Sequence, residues 1–155
     1  MFVREARRED IEAILNLMRQ LIDMHNRLDW RYKRFREYRG LKQYIAGVLK
    51  SKKKKIFVGE EKGKIIGYLI AEIETAPYYF RVMNIAKIAD AAVDAAHRRQ
   101  GTLRQLFLEA ERWFIKRGFR EVELNVDAKN IGAVGAWEAL GFKTYKLRMR
   151  KTAVR

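Results

Sequence analysis

The segment from Ile88 to Ala110, IADAAVDAAHRRQGTLRQLFLEA, changes periodicity partway along, and that change constrains the fold more than any other feature. It opens as an apolar extended run and crosses a short basic stretch from His97 to Gly101. It then places Leu103, Leu106, Phe107, Ala110, Trp113 and Phe114 three and four residues apart, which lines one face of a helix. A strand, a basic glycine-containing turn and a helix make an anion-binding arrangement. The first backbone N–H groups of a helix have no partner within it and point outward at its positive dipole end. Arg98, Arg99 and Arg104 add charge around that point, and Gly101 allows close backbone approach and a positive φ. An exposed arginine-rich loop capping an ordinary core helix fits the same residues.

At 155 residues, with no Pro/Gly/Ser-rich linker, repeat or low-complexity tract, the chain is expected to form a single domain spanning 1–155. Cysteine is absent, which excludes disulfides, thiolate catalysis and cysteine-based metal sites. His25 and His97 are the only histidines, so no metal centre is expected. No apolar run reaches the length of a membrane span, and the opening MFVREARRED has no apolar core of a secretory signal, so the expected location is cytoplasmic. A formal net charge of +15 attracts polyanions, whether nucleic acid, ribosome or a phosphorylated cofactor, without choosing among them.

Phe2–Ala6 reads as a short strand. Glu9 and Asp10 suit a helix N-terminus, and Ile11, Ile14, Leu15, Met18, Leu21, Ile22 and His25 follow at helical spacing. Asn26–Gly40 interleaves aromatics with arginines. That pattern serves either base stacking with phosphate binding or an amphipathic helix and loop with a solvated basic face. Leu41–Leu49 reads as a helix and Ser51–Lys55 as a charged turn. Ile56–Glu60 and Lys64–Glu74 read as antiparallel strands joined at Lys62-Gly63. The chain breaks at Thr75–Pro77 and is extended again from Tyr79 to Val93. After the central helix, Gly118 suits a C-terminal cap, Val122–Val126 a strand, Ile131–Leu140 a last helix, and Phe142–Arg150 a final strand. Such an alternation implies a mixed sheet covered by helices on both faces.

The segment VDAAHRRQGTLRQLF, followed by LNVDAKNIGAVGAWEALGF, resembles the GNAT-type N-acetyltransferase superfamily, and the likeness in element order covers nearly the whole chain. The resemblance implies an α/β fold with a mixed, mostly antiparallel sheet flanked by helices. It also implies acetyl-CoA as cofactor, its pyrophosphate wrapped by the loop Arg98, Arg99, Gln100, Gly101, Thr102, Leu103 and Arg104. Arg98 and Gly101 match the family's loop pattern. Leu103 stands where a second small residue is usual, and the helical period places its side chain in the core stripe. The resemblance further assigns the backbone of Val93 and Ala95 to the pantetheine arm, and Asn130 to the cofactor or to a helix N-cap, while the backbone N–H groups around Ala92 and Val93 are the expected oxyanion donors. Trp137 occupies the place of the tyrosine that protonates the departing sulfur in many members. An indole N–H is no useful acid, which makes Trp137 a packing residue beside the cofactor.

For the general base Asp90 is the first candidate, with Glu72 and Asp94 behind it. The implied reaction is direct transfer of an acetyl group to a primary amine, with a protein or peptide N-terminus or a lysine favoured over a small polycation, because like charge slows encounter. A short C-terminal segment after Phe142 makes a homodimer conceivable. The alternatives are an acyl-CoA-binding module of the same fold without catalysis, or a basic nucleic-acid-binding protein.

Overall fold

The computed structural model describes residues 1–153. Its contacts fall into two compact units, Met1–Asn125 and Val126–Arg155. The first unit contains β1 (Phe2–Glu5), α1 (Ile11–Leu28), α2 (Leu41–Leu49), β2 (Lys54–Glu61), β3 (Lys64–Thr75), β4 (Asn84–Val93), α3 (Thr102–Ile115) and β5 (Val122–Leu124). The five strands form one sheet in the order β1-β2-β3-β4-β5, antiparallel up to β4, while β5 runs parallel to β4. Lys62 and Gly63, both at positive φ, make the tight turn between β2 and β3.

Alternation along the strands separates two cores. Ile56 and Val58 of β2 with Tyr68 and Ile70 of β3 pack under Ile11, Ile14, Leu17 and Met18 of α1 and Ile45 and Val48 of α2. Gly59 and Gly67 belong to the other face, where α3 lies. A Cβ built on Gly67 would meet Thr102 Cγ2 at 3.1 Å, the Ala92 carbonyl at 3.2 Å and Leu106 Cδ1 at 3.2 Å. The absence of side chains on this floor is what lets the first turn of α3 come down on the sheet.

Several boundaries differ from the sequence expectation, each for a local reason. Helix α1 runs on to Leu28, and residues 29–40 form a loop with one 3-10 turn at Phe35–Glu37 in place of an amphipathic helix. Strand β2 starts inside the lysine run, because Lys54 reaches Glu72 of β3 at 2.7 Å. The buried stripe of α3 opens at Thr102, whereas Leu103 is half-buried. Thr102 is the shorter side chain and the glycine floor lies beneath it, so the helix is rotated to bring threonine down.

In the second unit, α4 (Ile131–Glu138) is capped by Asn130, whose side chain accepts from the Ala133 N–H at 3.2 Å. The expected strand at Phe142–Arg150 does not form. Apolar and basic residues do alternate there, but a strand exists only when its backbone finds a neighbouring strand, and Tyr145, Leu147 and Met149 remain exposed.

The entry to α1 is fixed by an ion pair. Arg4 donates to both oxygens of buried Asp10, at 2.7 and 2.9 Å, and to Glu60 at 2.9 Å. Asp10 also accepts from the Arg7 N–H at 2.7 Å. The Arg4 hydrogen bonds hold the Asp10 carboxyl below its ordinary range despite burial. Arg4→Met leaves that carboxylate buried without a cation and is expected to cost about 3 kcal/mol in urea unfolding at pH 7. In the native chain the pair's contribution is fully present above Asp10's unfolded value of 3.8 and is lost as pH falls through its lower folded value. The variant is expected to lack that part of the acid transition.

Candidate active site

Strand β4 is paired to β5 only through Ala86, Lys87 and Ile88, opposite Val122, Glu123 and Leu124. Beyond Ile88 the β5 side of β4 has no ladder, while the β3 side stays paired as far as Val93. The Asp94 N–H donates to the Ile66 carbonyl at 2.8 Å, so alternation turns the backbone groups of Ala92 toward β3 and those of Ala91 and Val93 toward the open side. Of the two residues assigned to an oxyanion donor, Val93 therefore offers its N–H outward, and the Ala92 N–H lies in the ladder.

At the end of β4 the chain turns through a 3-10 segment, Ala95–His97, and enters α3 through Gly101. Arg99 at φ 62 and Gly101 at φ 83 are both left-handed, the alternation that gathers successive backbone N–H groups into an anion-binding concavity. Gly101 caps α3 by conformation alone, with no side-chain bond to the helix's first N–H groups. Arg98 Nε donates to the Val93 carbonyl at 3.1 Å and Gln100 Nε2 to the Ala96 carbonyl at 3.2 Å, so both side chains brace the loop. Thr102 Oγ1 reaches the His97 carbonyl at 3.4 Å. Arg99 and Arg104 are exposed. These features fit a phosphate-bearing ligand. The donors are fixed backbone groups, the nearby charges are guanidinium groups, and the glycine floor has room for the turn but for no added side chain.

Asp90 lies one strand face away. Ile70 pairs with Asp90 but Ala71 pairs with Ile88, which makes Ala89 an extra residue in β4. This bulge places Ile88 and Ala86 on the α3 face and Asp90 and Ala92 on the α1/α2 face. The Tyr68 hydroxyl donates to Asp90 Oδ2 at 2.7 Å from the diagonal position across the ladder. Burial pushes the Asp90 carboxyl up to about 6, against the opposing pull of Tyr68 and the Ala91 N–H. The residue keeps some accessible surface, as a group exchanging protons with a ligand must.

The second-choice carboxylates are engaged elsewhere. Glu72 is 2.7 Å from Lys54 Nζ and 3.9 Å from Lys87 Nζ. Asp94 accepts from Gln20 at 3.1 Å and from the Ala96 N–H at 3.0 Å, and lies 3.0 Å from His97 Nδ1. Its pKa is lowered, chiefly by the Gln20 hydrogen bond and then by His97. In the second unit, Asn130 serves as the N-cap of α4, and buried Trp137 packs edge-on to Phe142 with centroids 5.4 Å apart. Sequence reasoning missed Tyr68, which reads as one more β-favouring core residue. It also missed Gly59 and Gly67, although a glycine inside an apolar strand is itself a signal of close approach. Among the described residues no group of histidines and carboxylates is placed to hold a metal ion, and no helix is long and apolar enough to cross a membrane.

Residues 15–142 match the model of the acetyltransferase (GNAT) family. A mycothiol acetyltransferase from Amycolatopsis mediterranei is 30% identical over 91 residues, which is 58% of this chain and 30% of that protein, so the chain spans under a third of that relative's length. Among solved structures, the tetramutant of the BH1408 protein from Bacillus halodurans superposes with a TM-score of 0.86 at 22% identity, covering 99% of this chain and 100% of that one. An aminoglycoside 6'-N-acetyltransferase from Acinetobacter haemolyticus gives 0.77 at 18% identity over 100% of both chains. At these identities the likeness is one of fold.

The glycine floor generates a test that stands apart from catalysis. Gly67→Val drives a side chain against the Ala92 carbonyl and the first turn of α3. The variant is expected to lose about 1–3 kcal/mol of stability and to bind a phosphate-bearing ligand at the α3 N-terminus roughly tenfold more weakly by calorimetry. Gly135→Ala, where nothing lies within 4 Å in mid-helix, is expected to gain about 0.5–1 kcal/mol.

Proposed function

Because the chain belongs to the acetyltransferase (GNAT) family, we propose that it moves an acetyl group directly from acetyl-CoA to a primary amine. The open edge of β4 running into the N-terminus of α3 is the observation that carries this reading, since it offers an extended ligand backbone partners at one end and phosphate donors at the other. The first N–H groups of α3, Gly101, Arg99 and Arg104 hold the pyrophosphate, with Arg98 and Gln100 bracing the loop. The Val93 carbonyl, which already accepts from Arg98, keeps a second lone pair for the pantetheine arm, and Ala95 lends its backbone groups. Acetyl-CoA, when bound, supplies the acetyl group as a thioester.

What remains for the chain is to place the amine and to remove a proton. A protonated amine has no lone pair. Asp90 takes the proton from the acceptor nitrogen onto its carboxylate, and a carboxyl pushed up to about 6 is a better base near neutral pH than an ordinary one. The Val93 N–H faces the open side and serves as donor to the carbonyl oxygen as charge builds there. Holding amine and carbonyl together accounts for the larger part of the rate, up to roughly 7–11 kcal/mol in ideal cases. With no proton donor needed, the CoA sulfur would leave as the thiolate, a tolerable leaving group because an ordinary thiol titrates at about 8.5.

The acceptor we favour is an α-amine or lysine of a peptide or protein, on the strength of the +15 charge, which slows encounter with polycations. The fold likeness to aminoglycoside acetyltransferases supports small amines as the competing class.

Calorimetric titration with acetyl-CoA, against CoA and ATP, coupled to thiol release over a panel of peptide N-termini, polyamines and aminoglycosides, tests the whole reading. Binding with turnover is expected, and absence of acetyl-CoA binding overturns it. The Arg98→Ala/Gly101→Glu double variant is expected to lose binding with its circular dichroism unchanged. Asp90→Asn is expected to lower kcat/KM by about a hundredfold or more and to remove its acid limb. The same change is expected to stabilise the chain at pH 7 by up to about 3 kcal/mol. A carboxyl raised from 3.8 to about 6 on folding makes the native state lose stability as pH climbs between those values, and the amide removes that slope.

A further inference from the structure

Tyr68 is fully buried, in a pocket walled by aliphatic side chains of α1, α2 and β2. On packing grounds the position calls for phenylalanine. A hydroxyl carried into such a core is costly unless it finds a partner, and this one donates to Asp90 Oδ2 at 2.7 Å. Burial first, and then the Asp90 charge, raise the Tyr68 phenol well above its ordinary value, so it stays protonated and donates throughout the working pH range.

The other groups around Asp90 are accounted for. From α2, Tyr44 faces the same region, its ring 5.8 Å from Lys54 Nζ. From β2 and β4, Lys54 and Lys87 turn to Glu72 and Glu74, with Lys87 2.8 Å from Glu74. Among the described residues no lysine or arginine forms an ion pair with Asp90. A cation there would fix the carboxylate but depress its pKa and blunt it as a base. A neutral phenol fixes it with a smaller effect on basicity.

We propose that Tyr68 is the positioning residue of this site, its hydroxyl holding the Asp90 carboxylate so that the remaining lone pairs are presented to the acceptor amine. The inference rests on the assignment of Asp90 as base. The Ala89 bulge sets which face Asp90 occupies, and Tyr68 sets the rotation of its carboxylate. The two devices are separable, since the first is a backbone count and the second a single oxygen atom.

Tyr68→Phe keeps the ring and deletes that oxygen. Using the amine that turns over best in the panel, the variant is expected to lose about tenfold in kcat with KM for the amine unchanged, and the acid limb of kcat/KM is expected to move upward by about one pH unit. The same displacement is read without turnover from the carboxyl ¹³C resonance of Asp90. In an Asp90→Asn background, Tyr68→Phe is expected to have no further effect on kcat. Fluorotyrosine incorporated at position 68 keeps the fold, strengthens the donor, and is expected to move the limb and the ¹³C titration downward, opposite to phenylalanine. A ¹³C titration of Asp90 that stays in place in both variants overturns the proposal, as does an equal loss in the Asp90→Asn background. Retention of the acid limb in Asp90→Asn alone overturns the base assignment, and the proposal with it. Loss of the limb there with none of the Tyr68 effects overturns the proposal alone.

Discussion

A β-strand that loses its neighbour partway along must find other partners for its backbone, and in this chain most of the candidate site follows from that requirement. Strand β4 leaves β5 after Ile88. From there to Val93 one of its edges carries polar groups in the middle of a sheet, a place where unpaired N–H and C=O groups are rare. One carbonyl, that of Val93, is taken by Arg98, which ties the strand's end to the basic loop. The others give the molecule an edge suited to a ligand with amides of its own. The turn that follows brings a helix N-terminus to the same end, so the edge and the phosphate donors belong to one continuous stretch of chain.

The two faces of the sheet then divide the work. On one, Gly59 and Gly67 leave a floor low enough for α3 to set its first turn on the strands. On the other, α1 and α2 enclose Tyr68 and part of Asp90 in an apolar layer. The extra residue Ala89 makes this division possible. With strict alternation Ile88 and Asp90 would share a face, and either an isoleucine would leave the α3 core or a carboxylate would enter it. The bulge lets the first half of β4 pack under α3 while the second half presents Asp90 and Ala92 under α1 and α2.

Much of this was legible in the residues, and the exceptions share a cause. The helical stripe of α3, the positive-φ glycine before it and the Lys62-Gly63 hairpin are local signals, and the structure has them where the sequence placed them. Period alone puts Leu103 in the core, yet the rotation of α3 is set by what it lands on. The glycine floor is far away in sequence, and so Thr102 opens the buried stripe. Tyr68 could not be told from any other buried aromatic, because its partner is 22 residues away and the bulge that brings the pair together leaves no mark in an alanine-rich run. Phe142–Arg150 failed for the complementary reason. Its alternation is a fair strand signal, but pairing is a property of two segments and the pattern speaks for one.

The floor and the bulge also differ in how exposed they are to inherited change. Any single-base change that puts another residue at position 67 adds a side chain beneath α3, so the seat of that helix lies within reach of ordinary point mutation. The face occupied by Asp90 is set by how many residues β4 contains. No substitution in the strand changes that number, and only the gain or loss of a whole codon does. Substitution can therefore alter the packing beneath α3 one residue at a time, while the face of the sheet that carries Asp90 stays fixed.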